Sequence, residues 1–426
     1  MTDNKSCEVE LAWSSAHWAR TYGTSRDNRG YDVVATTDGG YIAVGYSSDD
    51  ARLHDGVIVK VDAAGAPLWQ HRYSTVNKDE LEGIVELAGG GYVVVGRTFA
   101  TGRDMDALIL RLDASGQILG QTTFGSAGQE MIHDIAVTSA TTAVVVGEHV
   151  DSSSGLVLGI DLTTGAVQWS KLLKVGTYSQ LDGVTTLANG NVVAVGVNST
   201  GAWLLELTST GTVVRERTVG TNASFTAVVR QGTGWIAGGS LQRPSSIYSD
   251  GWLVAFDATG AITWQRTYNR AEKLHDITPV AAGFVVAGQT QYDQVGDSVS
   301  GYLLGIDGIG GVRFERQYGS PSVTTSSYLL GVATGSGDRV IGAGYSSAFG
   351  AGSWDVLLTS VDAMGAIGTA TCPVSFATSL TSTVGTPTAS TTTTTATQTA
   401  LTSPVSATGA ATLLPLGGSI ASACFD

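Results

Sequence analysis

The stretch Tyr31–Tyr73, YDVVATTDGGYIAVGYSSDDARLHDGVIVKVDAAGAPLWQHRY, is a unit that the chain repeats. Four short β-rich runs, Asp32–Ala35, Tyr41–Tyr46, Gly56–Val61 and Pro67–Tyr73, alternate with turn residues. Asp-Gly-Gly after the first run and Ala-Ala-Gly after the third mark tight hairpins. One such unit leaves apolar faces that it cannot bury alone, so copies must stack on one another.

Two landmarks count the copies. The glycine that closes the second run recurs at Gly45, Gly96, Gly147, Gly196, Gly239, Gly288 and Gly344. The aspartate that ends the third recurs at Asp62, Asp113, Asp161, Asp257, Asp307 and Asp362, with Thr208 in the fourth copy. A spacing of about 50 residues suits a four-stranded propeller blade, not a helical solenoid. The fourth run carries an aromatic followed four residues later by a large apolar residue: Trp69/Tyr73, Trp169/Leu173, Trp264/Tyr268 and Phe314/Tyr318. In a strand both members of such a pair share a face and form one packing stripe. Gly120/Phe124 and Arg215/Val219 are degraded copies, and an orphan copy, Trp18/Tyr22, precedes the first unit. The last unit runs out after Asp362 with no aromatic. The expectation is an all-β, seven-bladed β-propeller over residues 13–370, closed by the N-terminal strand serving as the outer strand of blade seven. Residues 1–12 form an extension and residues 371–426 a tail.

The segments VDAAGAPLWQ, IDLTTGAVQWS and FDATGAITWQ resemble the D-x-x-G-x-x-x-W signature of quinoprotein-like propellers. TTDGGYIAVG and the recurring YG ending are similar to bacterial secreted β-propeller repeat proteins. The resemblance covers roughly residues 13–368. It implies a secreted or surface-attached bacterial protein of a family mostly without assigned activity. Quinone-dependent members typically have eight blades and a vicinal disulfide; seven units and no adjacent cysteines argue against carrying quinone binding over.

Charged residues are 14% of the chain and the net charge is -14, with no basic stripe, which excludes a nucleic-acid partner. No apolar run approaches the length of a membrane helix. The opening MTDNKSCEVELAW lacks the basic and apolar regions of a signal peptide, so the chain is expected to start after a removed signal with Met1 added. The expected location is extracellular or at the cell surface. From Thr371 the sequence is rich in Thr and Ser and contains no Lys, Arg or Glu. Two readings stand for it: a flexible or O-glycosylated stalk, or a strand-rich appendage able to pair with a neighbouring molecule. Cys372 and Cys424 bracket this tail and form the preferred disulfide; Cys7 joined to either is the rival.

No P-loop, G-x-S-x-G elbow, HExxH or Cys/His cluster is present, so no catalytic residue, metal or cofactor is assigned. An acidic position near the start of the innermost strand includes Asp32, Glu82, Asp134, Asp182 and Asp276. It reads either as a carboxylate ring holding a cation or as a set of caps accepting backbone N–H groups. Recurrence favours the caps, because structural roles repeat. His133 and His275 precede the acid in blades three and six, where other blades have Tyr31, Leu81, Leu181, Phe225 and Leu329; they are channel ligands or packing residues. Binding is placed on the face with the long second-to-third strand loops, opposite the tight turns, with Tyr248, Asp250, Tyr292, Asp293 and Asp297 as candidate contacts. The leading function is a non-enzymatic recognition or scaffold propeller for protein, glycan or copies of itself. The alternatives are a lyase- or lactonase-like enzyme at the channel mouth and a structural subunit polymerising through its tail.

Overall fold

In the computed structural model the described residues are 17–48, 54–75, 78–99, 105–126, 128–269, 271–290, 299–319, 325–349 and 353–367. To these are added the backbones of 375–377, 382–383, 397–399, 412–415 and 419–425. The runs of each unit become antiparallel neighbours in chain order, giving seven blades of four strands. In blade one these are Asn28–Ala35, Tyr41–Ser48, His54–Val61 and Pro67–Ser74. The two middle strands are buried along nearly their whole length because both faces meet a neighbouring blade. This is why they read as continuous apolar runs instead of alternating ones. The core is divided into layers between blades: Ile42, Val44 and Ile58 of blade one pack on Leu81, Val94 and Leu108 of blade two.

The aspartate that ends each third strand makes the turn. Asp62 Oδ1 accepts from the N–H groups of Ala64 and Ala66, both at 2.8 Å, so the side chain replaces a missing ladder partner. Asp113, Asp257, Asp307 and Asp362 repeat this bond pair. Thr208 does half of it, accepting from Thr212 N–H at 3.1 Å. Gly65 follows at φ 75°, a left-handed value that favours glycine.

The strand Trp18–Gly23 completes blade seven beside Asp355–Val361, with Trp18 opposite Ser360 and Tyr22 opposite Val356. The expected N-terminal closure is therefore how the ring shuts. The aromatic pairs of the outer strands do more than form a stripe within one blade: they clamp the next one. The fully buried Trp18 ring lies over Gly65 of blade one, where an added Cβ would sit 2.7 Å from it, and Trp18 Nε1 donates to Ala63 O at 3.0 Å. Tyr22 Oη donates to Gly65 O at 2.6 Å. Tyr268 and Tyr318 bond Gly310 and Gly365 in the same way, at 2.9 and 2.5 Å. At the degraded copy in blade four, Arg217 Nη1 reaches Gly260 O at 2.7 Å instead.

The described tail segments lie as fifth strands on the chain's own blades. Ser375–Ala377 pairs with the outer strand of blade six, Ser382–Thr383 with blade five, Thr397–Thr399 with blade three, Thr412–Pro415 with blade one and Ser419–Phe425 with blade seven. The tail thus runs backwards round the ring. Cys7 and Cys372 lie outside the described residues; the backbone of Cys424 stands opposite Ala19. No helix among the described residues is long and apolar enough to cross a membrane.

Candidate functional site

Every innermost strand contains an extra residue at one common position that interrupts its register against the second strand, a β-bulge, and blade six has a further one at Glu272. The residues inserted at the common position are Tyr31, Glu82, His133, Asp182, Thr226, His275 and Leu330. All seven line one cavity of about 100 Å³ on the ring axis. This alignment corrects the sequence reading in two places. The acidic position divides into two tiers: Glu82 and Asp182 are bulge residues, whereas Asp32, Asp134 and Asp276 stand one residue further on. His133 and His275 share their tier with Glu82, Asp182, Thr226 and Leu330, not with Leu81, Leu181, Phe225 and Leu329. Those four apolar residues precede the bulge and are fully buried between blades.

The second tier is structural. Asp134 accepts from its neighbour Ile135 N–H and from Val184 N–H of blade four, both at 2.7 Å. Asp32 bonds Val33 and Ile84 N–H, and Asp276 bonds Ile277 and Val332 N–H, at 2.7 to 2.9 Å. Each aspartate therefore ties its blade to the next, and the cap reading holds for these three. Gly183 occupies this tier in blade four because a Cβ there would meet Thr226 O of blade five at 2.9 Å. Burial pushes all three carboxylates up, Asp32 well above its ordinary value, Asp134 to about 7 and Asp276 to about 6, against the pull of their backbone bonds. The exposure they retain faces the cavity.

The bulge tier differs blade by blade. Glu82 is pushed up by burial and drawn down by Arg97, whose Nη2 is 3.2 Å away. Asp182 is also raised by burial, against His133 and Lys273, and accepts from Gln180 Nε2 at 2.6 Å. His133 Nδ1 donates to Leu181 O of blade four at 2.9 Å. Burial holds His275 down at about 3, hence neutral, and its Nε2 donates to Gln289 Oε1 at 2.9 Å. Leu330 and Tyr31 supply the apolar side.

Two residues before each bulge, a pair spans the first two strands at the loop-side end of the channel. The pairs are Arg29/Tyr46, Glu80/Arg97, Met131/Glu148, Gln180/Val197, Ser224/Ser240, Lys273/Gln289 and Tyr328/Tyr345. On blades seven and one they form an aromatic wall in which Tyr46 is buried and Tyr328, Tyr345 and Arg29 are half-buried. Tyr328 stacks on Tyr345 at 4.7 Å, and the Arg29 guanidinium lies 4.9 Å over Tyr345 and 5.5 Å over Trp354. Sequence reasoning missed this wall. Aligning the repeats on the bulge, not on the acid, exposes it as the position where chemistry varies most.

The loop candidates are placed only in part. Tyr248 is exposed, and Asp250 is paired with Arg243 at 2.6 Å. Tyr292, Asp293 and Asp297 lie outside the described residues. Among the described residues no three His, Cys, Asp or Glu converge as a metal site. One cluster in blade three has the composition of a nucleophile relay: Ser126 Oγ lies 3.1 Å from His149 Nε2 and 2.5 Å from buried Glu130. Its protons run the wrong way. His149 Nδ1 accepts from Ser152 N–H at 3.1 Å, so the ring proton sits on Nε2, and Ser126 donates to Glu130. Glu130 Oε1 also accepts from Ser126 N–H at 3.1 Å and so caps the loop, which Ser179 does in blade four by accepting from Val175 N–H at 2.8 Å.

Residues 54–234 match a family model described as outer membrane protein assembly factor BamB. The repeats in this stretch are similar to quinoprotein-like propeller repeats. No curated protein matches the chain. Among solved structures, the Pan2 WD40 domain of Neurospora crassa aligns at 12% identity over 81% of this chain and 96% of its own, with a TM-score of 0.51. Sqt1 of Chaetomium thermophilum aligns at 11% identity over 82% and 98%, with a TM-score of 0.46. The PQQ-bound aldose sugar dehydrogenase of Streptomyces coelicolor aligns at 13% identity over 66% and 93%, with a TM-score of 0.40. At such identities the likeness concerns the fold, which these quinoprotein-like repeats share with WD40 domains.

Proposed function

We propose that the chain is a non-enzymatic recognition and scaffold propeller, working outside the cell or at its surface, that holds a protein segment over the channel mouth on its loop face. The observation that carries this reading is the contrast between two sets of repeated positions. Turn aspartates and clamping aromatics recur from blade to blade because each does the same structural work. The rim pairs differ in every blade and the bulge residues in all but blades three and six, which share histidine, while each set keeps one geometry, as expected of contacts on a rigid scaffold. Tyr248 and Asp250 would extend that surface over blade five. Each described tail segment seats by one edge on the chain's own outer strands, which favours a tail held on the ring over one free to pair with a neighbouring molecule.

The test is a peptide-display selection on the immobilised full chain, beside a glycan array. Selected peptides should lose at least tenfold in affinity for a Tyr345→Ala/Trp354→Ala variant and none for Thr37→Ala on the tight-turn face. Equal binding to both variants, or hits on the glycan array alone, would overturn the assignment.

A further inference from the structure

The axial cavity is small and two-sided. At about 100 Å³ it is well below the roughly 300 Å³ at which drug-sized ligand pockets begin, and so has room for one side chain. Across blades two to four its wall is made of hydrogen-bond acceptors. Glu82, beside Arg97, and Asp182, which accepts from Gln180, present their remaining carboxylate lone pairs, and His133, with its Nδ1 proton committed to Leu181 O, presents Nε2 as an acceptor in its neutral form. Their side chains keep 16, 19 and 17% exposure respectively, so solvent and ligand reach them. Leu330 and the Tyr31 ring give the apolar part of the wall, and Thr226 and His275 of blades five and six complete it.

An acceptor wall beside an apolar one is matched by a group that only donates hydrogen bonds and is carried on an aliphatic stem. We propose that the cavity takes one arginine side chain of an extended peptide, its guanidinium on Glu82, His133 and Asp182 and its stem against Tyr31 and Leu330. Guanidinium has five N–H donors, no acceptor, and a plane that stacks on an aromatic face. The net charge of -14 steers such a ligand to this chain. The inference rests on the recognition reading and narrows it to a chemical class.

The probes are Ac-Gly-Arg-Gly-NH2 and its citrulline twin, in which a urea oxygen replaces one NH2 and so removes the charge and two donors at nearly the same shape, titrated into the full chain and followed by saturation-transfer NMR and calorimetry. The arginine peptide should bind at least tenfold more tightly than the citrulline peptide. A Glu82→Gln/Asp182→Asn variant should erase that difference. Leu330→Arg, which supplies the guanidinium from within, should abolish peptide binding and raise the melting temperature. Equal binding of the two peptides, an unaffected double variant, or a destabilised Leu330→Arg protein that still binds would overturn the proposal. Library hits that are uncharged yet sensitive to the Tyr345→Ala/Trp354→Ala pair would leave the recognition reading standing and overturn this one.

Discussion

Replacing Trp18 by alanine tests how the ring is shut. The side chain is fully buried, its Nε1 donates to Ala63 O at 3.0 Å, and its ring covers Gly65 and meets Tyr41 edge-on at 6.4 Å. Truncating a core tryptophan costs about 3–5 kcal/mol. The lost hydrogen bond adds about 1 kcal/mol. Unfolding entropy near 2.1 cal/mol/K per residue, taken over about 350 residues of ring, converts the combined loss of about 5 kcal/mol into a melting point lower by about 7 °C. Trp264→Ala is the control, because that half-buried ring clamps an internal junction between blades five and six. Trp18→Ala, unlike Trp264→Ala, weakens the strand that covers the edge of Asp355–Val361, so it should also increase self-association in light scattering. A Trp18→Ala protein that melts within about 1 °C of the parent and scatters like the Trp264→Ala protein would refute N-terminal closure as the latch.

Stability should fall as pH rises through about 6 to 7. Asp134 and Glu130 are pushed up to about 7 and Asp276 and Asp79 to about 6 by burial, so the folded chain binds more protons than the unfolded one in that window. Their contribution is complete at low pH and lost above the raised values; a melting point that climbs steadily from pH 5 to 8 at fixed ionic strength would contradict this. Gly183→Val should lower the unfolding free energy by about 2 kcal/mol, read from denaturant titration, since its Cβ would press on Thr226 O and on Ala227 Cα at 3.1 Å, both backbone atoms. Truncation after Ile367 should uncover five outer edges and promote association, measured by light scattering. Non-reducing peptide mapping should recover Cys372 joined to Cys424; a Cys7 peptide in that bond would overturn the pairing.

The blades were legible because their signals are local. Asp62 and its repeats stop a strand by bonding N–H groups two and four residues on, and that chemistry is written within five letters. The orphan Trp18/Tyr22 pair was legible because its partner motif is missing after Asp362. The site was not, because a bulge leaves no residue-type signature. Glycine, alanine and aspartate all follow it, and an acid such as Glu82 or Asp182 can occupy the bulge itself. Counting acids therefore merged two tiers whose side chains do different work. The course of the tail was equally hidden: Thr-rich sequence is compatible with a stalk or a strand, and only the outer edges of the other blades decide between them.

The N-terminal strand is the first of the ring to be made and among the last to be used. Trp18 faces Ser360 on one side and Phe425 on the other, so it waits for nearly the whole chain before either edge is satisfied. Pairings of such sequence separation pay their loop-closure cost late, and they place the slow step of folding at ring closure. Blades one to six can form in order as the chain emerges, each offering an open edge until its successor arrives. The last seven-residue strand, Ser419–Phe425, then lies on the first strand of the ring and brings the first and last described strands to one blade. A protein built this way is completed from its ends, and any partner that captured the first strand during synthesis would hold the ring open.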